Sequence, residues 1–117
     1  MHYQAVVDSK KRFLRLTFAE DATIEDWRES LFTLLHLSQE TGFRHVLVDV
    51  RQQKASGDVV DLFRFGASIP VRIACAVMTQ PGRTDHELVE TIALNRGVTA
   101  KLFSGSEEDA IRWLESA

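Results

Sequence analysis

Tyr3, Ala5 and Val7 alternate with Gln4, Val6 and Asp8, the polar run Ser9-Lys10-Lys11 interrupts, and alternation resumes from Phe13 to Phe18. A period of two on both sides of a polar break predicts an antiparallel hairpin. The period then lengthens. Ile24, Trp27, Leu31, Leu34 and Leu35 recur at helical spacing behind Thr23 and Asp26, which have the spacing of a capping box, and Gly42 marks the expected end of a long helix. His45 to Val50 has strand length and is rich in β-branched residues. Val59, Leu62, Phe63 and Ile69 form a second helical stripe that Pro70 stops, and Val71 to Met78 is the next predicted strand.

Thr84 and Glu87 again have capping-box spacing, Leu88, Val89 and Ile92 carry a third helix, and Gly97 is a natural left-handed terminator. Thr99 to Phe103 reads as the last strand. Ser106 caps a final helix whose acidic first turn, Glu107-Glu108-Asp109, suits the positive end of a helix dipole, while Ala110, Ile111, Trp113 and Leu114 pack inward. The order is ββαβαβαβα. Strands that alternate with helices imply an α/β fold with a mixed, mostly parallel five-stranded sheet after the N-terminal hairpin.

The two faces of that sheet differ in character. Leu14, Leu16, Phe18, Val46, Val48, Val50, Val71, Ile73, Cys75 and Val77 fall on one side, whereas Arg15, Thr17, His45, Asp49, Arg72, Ala74, Ala76 and Lys101 fall on the other. A sheet covered equally on both sides has unbroken apolar central strands. Here most helices are therefore expected on the first face, with thin cover on the second.

Composition acts mainly by exclusion. With 117 residues, 44% hydrophobic and 26% charged, the chain suits one domain spanning 1–117. A formal net charge of -3, with both signs interspersed, gives no field for nucleic acid. The single Cys75 excludes an internal disulfide framework and fits a reducing, cytoplasmic setting. The N-terminus lacks the pattern of an export signal, and no apolar run is long enough for a membrane span. No cofactor or metal motif is visible.

Three stretches carry a resemblance: His45-Val46-Leu47-Val48-Asp49-Val50-Arg51, Leu94-Asn95-Arg96-Gly97-Val98, and Leu102 to Leu114 with its Ser104-Gly105-Ser106 turn. Together with the element order, they resemble the STAS superfamily, and within it the SpoIIAA-like branch of small bacterial proteins. In anti-sigma-factor antagonists of that group, a Ser before a Gly, at the start of the helix after the third strand, is phosphorylated and the partner lets go. Lys54-Ala55-Ser56-Gly57 occupies that place; the hydroxyl before Gly is kept, but Lys54 and Ala55 replace the usual acidic residue and first hydroxyl. The resemblance thus implies a regulatory role for Ser56. The wider fold also resembles lipid-transfer domains of the CRAL-TRIO type, which implies apolar ligand binding.

Other candidates come from position alone. Ligands of parallel α/β sheets meet the loops beyond the strands' carboxyl ends, where Arg51, Thr79, Arg83 and Thr84 are expected to contact a ligand or anion. His86 and Glu90 stand i, i+4 like paired metal ligands, although an exposed helix face is the simpler expectation. Asp49 is expected to pair with Arg15 or Arg72. On the second helix, a step of about 100° per residue turns Val59, Leu62, Phe63 and Ile69 to the core and leaves Phe65 outside it. Leu37 and Leu94 also fall off their helices' core stripes, and the three are expected to mark a partner or dimer surface.

These readings point to a non-enzymatic binding or regulatory module that recognises a protein partner or a second copy of itself as a homodimer. The alternative is a carrier or sensor of a small apolar ligand or lipid.

Overall fold

The computed structural model describes residues 2–54 and 58–117. Strands β1 (Tyr3–Asp8) and β2 (Phe13–Phe18) form the hairpin, with Tyr3 opposite Phe18 and Asp8 opposite Phe13. Asp8 closes the turn: its carbonyl accepts from Arg12 N at 2.8 Å and its carboxylate from Lys11 N at 2.9 Å. Helix α1 (Ile24–Thr41) begins at the expected capping box and ends where the N–H of Gly42, at φ +77, donates to the Ser38 carbonyl. A left-handed residue there suits glycine, which has no Cβ to clash.

Then follow β3 (His45–Asp49), α2 (Val59–Ser68), β4 (Ala74–Met78), α3 (Thr84–Asn95), β5 (Thr99–Phe103) and α4 (Glu107–Ser116). The sheet runs β1-β2-β3-β4-β5, antiparallel in the hairpin and parallel from β2 onward. Three successive right-handed crossovers in one direction put α1, α2 and α3 on one face. Leu14, Leu16, Phe18, Val46, Val50, Ile73 and Cys75 are buried beneath them. Helix α4 lies on the opposite face, where Ala110 and Leu114 pack with Phe13, Leu47, Ala74, Ala76 and Met78. Ile111 and Trp113 pack partly against the same cluster, and burying a leucine such as Leu114 stabilises this acidic helix by roughly 1.5–3 kcal/mol. Arg72 and Lys101 stay exposed and Arg15 half-buried, as the alternation predicts.

Four local expectations need correction. β4 starts at Ala74, not Val71, because β3 offers partners only from His45 onward; Ile73 N instead closes a turn on the Pro70 carbonyl, and Val71 is 56% exposed. The second capping box does not form. Helix α3 begins one residue earlier than that box requires, with Arg83 at its cap position and no side-chain cap bond. In α2, Val59 and Phe63 face outward, 68% and 57% exposed, while Leu62 and Gly66 are buried. Phe65 is not outside the core: it packs against the core under α1–α3, and its ring centroid is 5.1 Å from that of Trp27.

Gly66 explains this rotation. A Cβ built there would lie 3.0 Å from Ile92 Cβ and 3.3 Å from the Val89 carbonyl oxygen, so α2 and α3 cross with no room for a side chain at the contact.

Candidate functional site

Where α1, α2 and α3 cover the sheet they leave an apolar cavity of about 90 Å³. Phe18 and Val50 form part of its floor, Trp27 comes from the first turn of α1, Phe65 from α2 and Ile69 from its C-cap, and His86 from the first turn of α3. The Trp27 ring is the centre of an aromatic cluster, with centroids 6.5 Å from Phe18, 5.1 Å from Phe65 and 5.8 Å from His86.

The lining is mainly apolar, with Ser30, His86, Glu90 and Lys101 as its polar residues. Trp27 is 4% and His86 3% exposed, and neither Trp27 Nε1 nor His86 Nε2 has a hydrogen-bond partner among the described residues. Buried polar groups without partners are uncommon and costly. His86 Nδ1 is satisfied, 2.6 Å from Thr79 Oγ1. The carboxylate of Asp85 lies 3.7 Å from Nε2, too far for a hydrogen bond, and its oxygens accept from Arg83 Nε and Nη2 at 3.0 and 2.6 Å. Burial pushes the His86 pKa down to about 4; Asp85 opposes this and Arg83 adds to it. The imidazole is therefore neutral at pH 7.

The sequence-predicted positions fare differently. Ser56 lies outside the described residues; the cap of α2 is Asp58, whose carboxylate accepts from Asp61 N at 2.9 Å. Arg51 forks onto Asp49 at 3.0 and 2.8 Å, so Asp49 pairs with neither Arg15 nor Arg72, and Arg15 instead reaches Glu107 at 2.9 Å. Arg83 is held by Asp85 and by the carbonyl of Gln53. Both guanidinium groups expected to meet an anion are thus occupied by neighbouring acids. Thr79 is buried against His86, while Thr84 is exposed at the start of α3. The cluster therefore does not converge on one anion site.

His86 is buried rather than on an exposed face, and Glu90 Oε2 accepts from the Leu102 N–H at 2.7 Å, so the two do not act as a pair. Leu94 is 49% exposed, but Leu37 and Phe65 pack against the core, and the three do not form one exposed surface. Cys75 is buried, which pushes its thiol up to about 12 and keeps it protonated and unreactive.

Trp27 and His86 are the residues that sequence reasoning missed as a pair. Trp27 read as ordinary core and His86 as polar surface, yet His86, Val89, Glu90 and Ala93 stand at i, i+3, i+4 and i+7, the spacing of one buried stripe, and all four line the cavity.

No family model matches the chain, and no curated protein matches it. Among solved structures it is similar to an uncharacterised protein of the DUF3478 family from Shewanella loihica PV-4, described as having a SpoIIAA-like fold. The match has a TM-score of 0.64 and 18% identity, and covers 96% of this chain and 93% of that one. With the same ββαβαβαβα order and mixed five-stranded sheet, the fold of this chain is SpoIIAA-like.

Proposed function

We propose that this chain is a non-enzymatic, STAS-like binding module that recognises a protein partner through the outward face of α2. The observation that carries this reading is the exposure of three apolar residues in the first turns of one helix: Val59 at 68%, Val60 at 56% and Phe63 at 57%. Isolated exposed apolar residues are ordinary, but three within five positions of a short helix form a contiguous strip suited to an interface core. The strip follows directly on Lys54-Ala55-Ser56-Gly57, the segment that the SpoIIAA resemblance associates with partner release. Ser56 is accordingly the proposed regulatory position, and a second copy of the chain is the simplest partner. Replacing Phe63 by Asp should abolish self-association in sedimentation at high concentration, or capture of a host partner, without loss of helicity. Unchanged association would remove α2 from the interface.

A second reading, a carrier or sensor of a small apolar ligand, is favoured by the cavity with its two unpartnered nitrogen atoms. The readings share α2: Phe65 lines the cavity from its inner side, and Val59, Val60 and Phe63 occupy the outer side. A ligand that moved the helix would alter the outer strip, which is what a sensor requires.

A further inference from the structure

We infer that the cavity under α1–α3 takes a compact, uncharged molecule with an apolar body and a single acceptor oxygen, of the ketone or ester class, held by the N–H groups of Trp27 and His86. This rests on the ligand-binding reading above and adds the chemistry of the ligand.

The neutral His86 imidazole carries its proton on one of two nitrogens, and which one decides what the ring can bind. Indole nitrogen is always a donor; neutral imidazole is a donor at one nitrogen only. The Thr79 hydroxyl has two acceptors within reach, His86 Nδ1 at 2.6 Å and the Gln80 carbonyl at 3.4 Å. The first distance is that of a strong O–H bond and the second lies beyond the usual range, so Thr79 donates to Nδ1. The imidazole proton then sits on Nε2, where the Asp85 carboxylate 3.7 Å away also favours it. Trp27 Nε1 and His86 Nε2 are therefore both donors, their ring centroids are 5.8 Å apart, and both residues line one cavity. Gln53 Oε1 also lacks a partner among the described residues, but Gln53 does not line this cavity.

The two unpartnered nitrogens are both donors and select an acceptor head; of the other polar side chains in the lining, Ser30 is bonded to the Trp27 carbonyl and Glu90 to the Leu102 N–H. An anionic head is disfavoured because Asp85 already places a carboxylate beside His86, and a charge buried against aromatic walls is costly. The donors enter from the first turns of α1 and α3, near the carboxyl ends of β2 and β4, while Leu34, Ile69, Pro70 and Ile73 supply apolar wall elsewhere. A dry cavity of about 150 Å³ takes benzene, so a cavity of about 90 Å³ takes roughly four or five heavy atoms.

The test uses 2-butanone and 2-methyl-1-butene, which share a skeleton and differ by =O against =CH₂. The chain has two tryptophans, so its indole N–H signals in a ¹H–¹⁵N spectrum number two, and a Trp113→Phe variant assigns them. Titration with 2-butanone should shift the Trp27 indole signal and leave that of Trp113, on the α4 side, in place. The ketone should bind about tenfold more tightly than the alkene, the ratio that one net hydrogen bond gives, and His86→Phe should reduce that ratio. Imidazole ¹⁵N shifts of the unmodified protein should report a proton on Nε2. Equal binding of the two probes, or a proton on Nδ1, overturns the inference and leaves the ligand reading standing. Binding of neither probe, with only bound water contacting Trp27 Nε1, overturns both.

Discussion

Thr79 Oγ1 and His86 Nδ1 are 2.6 Å apart, and both side chains are buried at the carboxyl end of the sheet. The contact ties the end of β4 to the first turn of α3 and holds a neutral imidazole inside the protein.

That imidazole predicts a dependence of stability on pH. Its folded pKa, about 4, lies below the ordinary 6.5, so the unfolded chain takes up the proton first. The contribution is complete above pH 6.5 and is lost as pH falls toward 4. At pH 4.5 the loss is about 2 kcal/mol relative to pH 7. The carboxylates of Asp26, Asp49, Asp85 and Glu107 are also held low, but their contributions disappear in a more acidic window, below the ordinary carboxylate range. Urea unfolding at pH 7 and 4.5 should therefore show the loss in the unmodified protein and a much flatter profile in His86→Gln. An equally steep profile in the variant would assign the effect to other groups.

The two phenylalanines of α2 should behave in opposite ways. Phe65→Ala removes a ring packed on Trp27 and should cost about 2–4 kcal/mol in urea unfolding. Phe63→Ala removes an exposed ring and should stay within about 0.5 kcal/mol. Equal costs would mean that the helix sits in a different rotation.

Gly66→Ala should destabilise even though alanine is the better helix former by about 1 kcal/mol. The added methyl would meet Ile92 Cβ at 3.0 Å and a backbone oxygen of α3 at 3.3 Å, so a whole helix must give way. A net loss of about 1–2 kcal/mol is expected from overpacking offset by propensity, read as a lowered urea midpoint. A raised midpoint would show that the α2–α3 contact yields easily.

Thr23→Ala should cost about 1 kcal/mol. It removes one half of a reciprocal cap in which Asp26 N donates to Thr23 Oγ1 at 3.4 Å and Thr23 N donates to Asp26 Oδ2 at 2.8 Å. Thermal unfolding followed by circular dichroism measures it; a change below about 0.3 kcal/mol would mean that the longer of the two bonds contributes nothing.

The element order and sheet faces were legible because their signals are strong and local. The period of two in β1 and β2, the cap at Thr23 and the glycines at 42 and 97 each specify a conformation by themselves, and both glycines have positive φ. The rotation of α2 was not legible. Val59, Val60, Leu62, Phe63, Phe65, Ala67 and Ile69 surround that helix with apolar groups, so several rotations bury a comparable area. What selects one is the backbone approach at Gly66, which a pattern of hydrophobicity does not register. The arginines misled for a related reason: Asp49 and Asp85 stand two residues from Arg51 and Arg83, and these local pairs used the forks that a ligand would have needed. His86 was hidden by its residue type, since a histidine in a buried stripe looks polar until its neighbours at i+3 and i+7 are counted with it.

Strand order equal to chain order has a consequence for biosynthesis. As the chain leaves the ribosome, β3, β4 and β5 can each add to the edge most recently formed, and no later strand has to insert between two earlier ones. Such growth is incremental, and the short sequence separation between partners keeps loop-closure costs low. The face carrying Phe13, Leu47 and Met78 is the exception, because it has no cover until α4 has been made. A nascent chain that has completed β5 but not α4 therefore displays an apolar sheet surface, and this is the interval of synthesis in which a holdase chaperone would find the most to bind.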